Sequence, residues 1–245
     1  MARHRKAYFQ WKLYYSVKPP LLLINFKLYN NSYGEGAISF SRILERISLE
    51  RSVEIIISVP ATMISRLADG ISIPVFAQHV DASPLGAATG SITPELIKEA
   101  GAKGSILNHS ERSMKLSELS DAINRMKESG LESVVCVDRY ELVAPVGLLK
   151  PTALLIEPPE LIGTGRAISR EKPEVITRAV DANRQGGKVF LLAGAGIVTG
   201  EDVYRSIELG ADGAAMASAV MKSADPAKAV DGLVDGILRI REKWK

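Results

Sequence analysis

Eight short apolar runs, most of them rich in β-branched residues, recur along the chain from residue 21 onward. Runs of this length and composition are typical of strands that are buried on both faces of a parallel sheet. The predicted strands are Leu21–Lys27, Val53–Val59, Val75–Val80, Gly104–Asn108, Ser133–Asp138, Ala153–Glu157, Val189–Ala193 and Gly213–Ala217. Because parallel strands need long crossover connections, the stretches between these runs should hold helices.

The intervening stretches carry helix signals. Clear helices are predicted over Ala37–Leu49, Ser117–Ser129, Pro173–Gln185, Gly200–Leu209 and Pro226–Lys243. Thr93-Pro94 and Asp225-Pro226 each place a capping residue before a proline at the first helical position. Eight strands, each followed by a crossover, are the count of a single-domain α/β fold, the (β/α)8 barrel. A doubly wound sheet of eight strands would alternate in a similar way, but no GxGxxG follows the first run, which disfavours dinucleotide binding.

Length and cysteine content narrow the class of protein. A chain of 245 residues suits one barrel domain. No apolar run approaches the ~20 residues that span a bilayer, so no membrane association is expected. The single cysteine, Cys136, excludes an intrachain disulfide and a cysteine-based zinc site. It lies inside an apolar run, which predicts a buried free thiol and a reducing, cytoplasmic setting.

The positive charge of the chain is concentrated at its N-terminus. The whole chain carries +3, but residues 1–20 hold five cations and no acid, so the remainder carries −2. Nucleic-acid binding needs basic residues on a folded face, and none is expected here. Residues 1–19 are interpreted as a basic extension that is disordered or follows a mis-assigned start, and residues 20–245 as the barrel. Contact of this aromatic, basic segment with a membrane or RNA is the alternative.

Four polar residues lie at the predicted carboxyl ends of strands, where barrel active sites form. Asn25 and Lys27 are two apart on the first strand and therefore share a face. His109 follows the fourth strand and Glu157 ends the sixth. Lys27 could stabilise a developing oxyanion, His109 could polarise a carbonyl, and Glu157 could remove a proton. Each could singly be a structural or solvated residue, but their coincidence on one rim favours an active site.

Small residues at the ends of the last two strands suit an anion. The seventh strand ends in Gly194-Ala195-Gly196 and the eighth in Ala217-Ser218. The loops after strands seven and eight of a barrel often bind phosphate through backbone N–H groups. Glycine turns are common, so this signal alone is weak.

With these residues in place, the sequence resembles the triosephosphate isomerase family, and particularly its shorter archaeal branch. The resemblance runs from about residue 20 to the C-terminus, and the matching pieces occur in the family's order. They are Asn25-Phe26-Lys27, Ala77-Gln78, Gly86-Ala87-Ala88-Thr89-Gly90, His109-Ser110-Glu111-Arg112, the segment from Glu157 to Gly165 (EPPELIGTG) and Gly194-Ala195-Gly196-Ile197. The segment from Glu157 to Gly165 and the His109 motif are together highly specific.

The resemblance implies a function without a cofactor or metal: interconversion of dihydroxyacetone phosphate and D-glyceraldehyde 3-phosphate through an enediolate, in glycolysis and gluconeogenesis. It makes Glu157 the base and His109 the neutral electrophile, the pairing for which this family is a standard worked example. It implies that Lys27 supplies positive charge, that Asn25 positions the substrate and that Glu111 pairs with the lysine. The implied lid and phosphate-binding residues are Ile162, Gly163, Gly196, Ala217 and Ser218.

The family resemblance also predicts self-association. The third loop of family members inserts into a neighbouring subunit, and here Thr89 is the residue expected to reach across. A homodimer or homotetramer is therefore expected. The chain departs from the bulkier forms by having Asn108 before the histidine and Ser113 after the arginine, and by His79, which is interpreted as a supporting or structural residue.

Two other functions are compatible with parts of the pattern. Another phosphate-binding barrel isomerase or aldolase would share the glycine-rich seventh loop, because barrels host many chemistries. A non-catalytic barrel scaffold would share the fold, although all four expected catalytic residues are present. Neither alternative explains why the Asn25, His109 and Glu157 motifs occur together.

Overall fold

The computed structural model describes residues 18–244, which form a closed barrel of eight parallel strands surrounded by helices. Each strand pairs with its neighbours in chain order, and β1 also pairs with β8, with Leu21 opposite Gly213. The sheet therefore has no free edge. This confirms the predicted (β/α)8 barrel and excludes the doubly wound sheet. Residues 1–17 of the predicted extension lie outside the described residues.

The strands are short and the helices vary in length. The strands are β1 (Leu21–Asn25), β2 (Glu54–Val59), β3 (Val75–Ala77), β4 (Gly104–Leu107), β5 (Glu132–Val137), β6 (Ala153–Ile156), β7 (Phe190–Ala193) and β8 (Gly213–Met216). The α-helices are α1 (Gly34–Arg51), α2 (Ile64–Ala68), α3 (Pro94–Glu99), α4 (Leu116–Glu128), α5 (Val143–Gly147), α6 (Ile168–Glu171), α7 (Pro173–Gln185), α8 (Gly200–Glu208), α9 (Ser218–Met221) and α10 (Pro226–Lys243).

Several strands end one to three residues before the predicted position. Lys27 and Asn108 were placed in strands, but both adopt left-handed backbone conformations, with φ of 45° and 56°. Such a conformation cannot continue a pleated strand. The predicted starts of α7 and α10 are correct, and Asp225 caps α10 by accepting a hydrogen bond from Lys228 N at 3.0 Å.

Two apolar clusters hold the barrel together. Alternate strand residues point inward, and Leu21, Leu23, Phe76 and Leu155 belong to the interior cluster. The residues between them pack outward against the helices in a larger cluster. Because the alternation continues past the last paired residue, the next inward positions at the carboxyl ends are open to a pocket. Cys136 is a buried free thiol of the interior cluster, as predicted.

No helix among residues 18–244 is long and apolar enough to cross a membrane.

Candidate active site

One pocket of about 580 Å³, counting its open mouth, lies at the carboxyl ends of the strands. It is lined by all nine residues predicted for catalysis or substrate binding, which are Asn25, Lys27, His109, Glu157, Ile162, Gly163, Gly196, Ala217 and Ser218. The interior cluster supplies its floor through Leu23, Ile106 and Leu155. The pocket is therefore closed below and open above, as a site for a small ligand should be.

Asn25 continues the inward alternation of β1, and Lys27 lines the pocket from the turn that follows the strand. The Lys27 backbone N–H donates to Asn25 Oδ1 at 2.9 Å, which stabilises the left-handed turn at Lys27. Gln78, the next inward position after Phe76 on β3, donates from Nε2 to Lys27 O at 3.0 Å and to Asn25 Oδ1 at 3.3 Å. Gln78 was part of a recognised motif but received no predicted role. Its amide fixes the segment that carries the lysine.

The Lys27 ammonium is held beside the pocket by a carboxylate from the opposite side of the barrel. Lys27 Nζ lies 2.8 Å from Glu111 Oε1, and the lysine side chain is 15% exposed whereas the glutamate is 61% exposed. The pair is thus half in water, so the lysine keeps a net positive influence on the pocket interior. Its charge acts on both His109 and Glu157.

His109 is a buried imidazole whose hydrogen-bonding identifies its tautomer. The Glu111 backbone N–H donates to His109 Nδ1 at 3.1 Å, so Nδ1 is an acceptor and the proton of the neutral ring is assigned to Nε2. Burial lowers the pKa of His109, the Lys27 charge lowers it further, and Glu111 opposes them. A neutral imidazole that presents Nε2–H to the pocket can donate a hydrogen bond to a substrate oxygen.

Glu157 is the next inward position after Leu155, and its carboxylate lies beside the imidazole. Its Oε2 is 3.7 Å from His109 Nε2, and its side chain is 13% exposed. Burial raises the pKa of Glu157 to about 7, against the opposing effects of Lys27, the Cys136 thiol and the Ala195 backbone. A carboxylate with a pKa near neutrality is suited to accept and return a proton.

Because Gly194 has no side chain, there is room beside it for the Glu157 carboxylate. A Cβ atom at Gly194 would lie 2.5 Å from Oε1 of Glu157 and 2.6 Å from its Cγ. The backbone at Gly194, directly after β7, therefore packs against the carboxylate and limits its positions. The sequence pattern places this glycine only in the phosphate loop, because its contact with Glu157, 37 positions earlier, arises only in the fold.

The opposite side of the pocket presents backbone N–H groups. Gly163 and Gly196 have φ of 73° and 69°, and Ser218 begins α9. Within residues 18–244, the N–H groups of these three residues donate no hydrogen bond. Unpaired N–H groups that converge on a pocket are suited to bind the oxygens of a phosphate.

The lid segment, residues 158–167, passes over the pocket between β6 and α6. Thr164 Oγ1 donates to Leu161 O at 2.9 Å and accepts from Arg166 N at 3.0 Å, so the lid segment folds into a compact turn. Residues 163–166 are exposed, whereas Ile162 is partly buried against the core and lines the pocket. The lid segment thus places an apolar side chain and a glycine N–H at the mouth.

Two predicted supporting residues lie outside the pocket lining. Glu111 acts through its pair with Lys27, and Thr89 is exposed in the loop between β3 and α3. His79 lies on the same loop, with Nε2 at 3.2 Å from Asp81 Oδ1, and Asp81 in turn accepts from Ile92 N at 2.8 Å. Asp81 therefore joins the two ends of the loop, and His79 contacts its carboxylate.

These features define a barrel enzyme that transfers protons within a small anionic substrate. The family model for triosephosphate isomerase matches residues 20–233, and the chain belongs to this family.

Relatives that are similar to this chain over nearly its whole length are triosephosphate isomerases. The triosephosphate isomerase of Metallosphaera sedula is 58% identical over 227 residues, covering 93% of this chain and 100% of that protein. That of Sulfurisphaera tokodaii is 59% identical, covering 94% and 100%. The crystal structure of triosephosphate isomerase from Bartonella henselae matches with a TM-score of 0.65 at 22% identity, covering 88% of this chain and 99% of that chain, which supports the fold alone.

Proposed function

We propose that this chain interconverts dihydroxyacetone phosphate and D-glyceraldehyde 3-phosphate, in glycolysis and gluconeogenesis. The observation that carries the proposal is the juxtaposition of Glu157, with its pKa near 7, and neutral His109 at one side of the pocket that has three free N–H groups at the other. The first side fits the reacting carbons and oxygens, and the second fits the phosphate.

In the proposed reaction Glu157 removes a proton from the carbon next to the carbonyl. The electron pair of the broken C–H bond forms a carbon–carbon double bond, and the carbonyl oxygen becomes negative. His109 donates a hydrogen bond from Nε2 to that oxygen, and the Lys27 ammonium stabilises the charge. His109 Nε2 gives its proton to the former carbonyl oxygen and takes one from the hydroxyl group on the carbon that was deprotonated. Glu157 then returns its proton to the former carbonyl carbon, and the oxygen on the deprotonated carbon becomes the new carbonyl. Asn25 holds Lys27 in its position for this step.

The phosphate would bind to the N–H groups of Gly163, Gly196 and Ser218, with Ala217 and Ile162 alongside. Closure of the lid segment over the bound substrate would exclude water. Exclusion of water strengthens the electrostatic interactions and protects the enediolate from losing phosphate.

The proposal also covers the self-association of the chain and its cellular location. The exposed loop carrying Leu85 and Thr89 is proposed to contact a second copy, giving a homodimer or a homotetramer. Thr89→Arg should weaken both assembly and activity, as measured by light scattering and a triose phosphate assay. A fully active monomer of this variant would contradict the proposal. Cys136 as a free buried thiol fits a cytoplasmic setting.

The direct test is conversion of glyceraldehyde 3-phosphate, coupled to reduction of dihydroxyacetone phosphate, for the wild type and Glu157→Gln. The matched control is Asp212→Asn, because burial also raises the pKa of Asp212, to about 6, but this residue lies at the other end of the barrel. We expect fast turnover by the wild type and the control and loss of orders of magnitude in Glu157→Gln. No turnover by a folded wild type would overturn the proposal.

A further inference from the structure

The segment that follows the lid segment is attached by three consecutive residues to the loop between β7 and α8 and to the first turn of α8. Ile168 N donates to Ala195 O at 3.2 Å, and Ser169 Oγ donates to Asp202 O at 3.2 Å. Arg170 Nε lies 2.7 Å from Asp202 Oδ1. The short helix α6 is therefore bound to the same loop that presents the Gly196 N–H to the pocket.

The Asp202 carboxylate both caps α8 and pairs with Arg170. Its Oδ2 accepts from Val198 N at 3.1 Å, from Thr199 N at 2.9 Å and from Thr199 Oγ1 at 2.8 Å, and so caps α8. A cap needs only one oxygen. The Arg170 guanidinium, which the cap does not require, contacts both oxygens: its Nε lies 2.7 Å from Oδ1, and its Nη2 donates to Oδ2 at 3.4 Å.

Burial makes this ion pair different from those on the surface of the barrel. The Asp202 side chain is 0% exposed, and Arg170 is 46% exposed. A buried carboxylate that loses its cation costs far more than an exposed one, because water does not replace the partner. By contrast, Arg184 and Asp181 form a pair on α7 whose side chains are 72% and 65% exposed.

The two segments are also in direct backbone contact beside the pocket. A Cβ at Gly196 would overlap the carbonyl group of Arg166 and approach Ala167 N to 2.9 Å. Movement of residues 166–170 would therefore displace Gly196, and movement of the loop would displace the end of the lid segment.

We propose that Arg170 is a positioning residue: by pairing with buried Asp202 it holds α6 and the end of the lid segment against the loop 194–199, so that lid and phosphate-binding loop keep one relative position. The proposal rests on the proposed function for the identity of the ligand. Arg170 does not line the pocket, and it acts through Asp202 and the backbone of Gly196.

A lid that is out of position has a chemical signature. An unprotected enediolate expels inorganic phosphate by breaking its C–O bond, and the electrons form a double bond in an enol that tautomerises to a three-carbon dicarbonyl. Phosphate release per isomerisation turnover therefore reports on lid placement. A general loss of stability would lower the amount of active enzyme without changing this ratio.

The test compares Arg170→Gln, Arg170→Lys and the control Arg184→Gln in the full chain. Arg170→Gln is expected to raise KM for glyceraldehyde 3-phosphate and the phosphate released per turnover roughly tenfold. Arg170→Lys should recover most of both, and Arg184→Gln should stay within about twofold of wild type because its pair is exposed. An unchanged KM and release ratio in Arg170→Gln would overturn the proposal.

A binding measurement separates this proposal from the proposed function. Calorimetry with inorganic phosphate alone needs the phosphate-binding loop but no turnover. We expect the Kd of phosphate to rise about fivefold or more in Arg170→Gln but not in Arg184→Gln. Equal Kd values would overturn the positioning role even if the wild type is an active isomerase. Weaker binding in Arg170→Gln without isomerase activity in any variant would refute the assigned reaction while supporting the positioning role.

Discussion

Gly194→Ala should disable the reaction by displacing the base, not by disturbing the fold. Gly194 does not have a positive φ, so alanine fits the backbone there. Its new methyl would lie 2.5 Å from Oε1, 2.6 Å from Cγ and 2.8 Å from Cδ of Glu157. Carbon atoms in contact prefer separations of about 3.5–4.0 Å, so the carboxylate must move by roughly 1 Å.

The cost of this displacement follows from how steeply catalysis depends on geometry. A misplacement of about 1 Å costs on the order of 10²-fold in rate, which is about 2.7 kcal/mol of barrier. We therefore expect kcat for glyceraldehyde 3-phosphate to fall about 100-fold in Gly194→Ala. The thermal midpoint should stay near that of the wild type, because the obstructing atoms all belong to one side chain that faces the pocket.

The matched control is Gly232→Ala in α10, where an added Cβ meets nothing within 4 Å. Both variants add one methyl group, but only the first touches Glu157. The assay is the coupled reduction of dihydroxyacetone phosphate, with circular dichroism to verify folding. If folded Gly194→Ala retained kcat within about threefold of wild type, the contact between this glycine and a catalytic base would not matter, and the reasoning would be refuted.

Three further predictions follow from burial and backbone freedom. Because Glu157 must be ionised to act as a base and its pKa is about 7, kcat/KM should fall about tenfold per pH unit below 7 and level off above it; an acid limb centred near 4.5 in a pH–rate profile would contradict the burial effect. A raised carboxyl pKa means that the folded state loses stability as pH rises from about 4.5 through about 7. At pH 8 the free energy of unfolding of Glu157→Gln, measured in urea, should therefore exceed that of the wild type by up to about 3 kcal/mol. This difference should disappear at pH 4.5, and equal differences at both pH values would exclude the linkage. Gly232→Ala should stabilise the chain by about 1 kcal/mol, since the site is an exposed helix position with room for a methyl group, and a lower thermal midpoint would show that space there is not free.

The part of the site that can be predicted from sequence depends on the alternation of side chains along a strand. Asn25 lies two residues beyond Leu23, and Glu157 lies two beyond Leu155, so alternation alone places both on the inner face. The eight apolar runs likewise indicate the number of strands, because each run is long enough to be recognised singly.

The remainder depends on contacts between distant segments. The left-handed turns at Lys27 and Asn108 shorten two strands, and hydrophobic patterning carries no signal for them. The pKa of Glu157 depends on how completely the fold buries it. Asp202 occurs in the pattern of a helix N-terminus, three residues after Thr199, which predicts a cap but not a buried pair with Arg170.

In the proposed reaction, Glu157 moves a proton between two carbons of a triose phosphate. The most direct test of this step is conversion of D-glyceraldehyde 3-phosphate in D2O, with the dihydroxyacetone phosphate analysed by NMR. If a carboxylate carries the proton, part of that proton exchanges with solvent, so we expect deuterium at C1 of the product and no comparable turnover by Glu157→Gln. Product free of deuterium, formed at an undiminished rate by Glu157→Gln, would show a direct hydride shift and contradict the account.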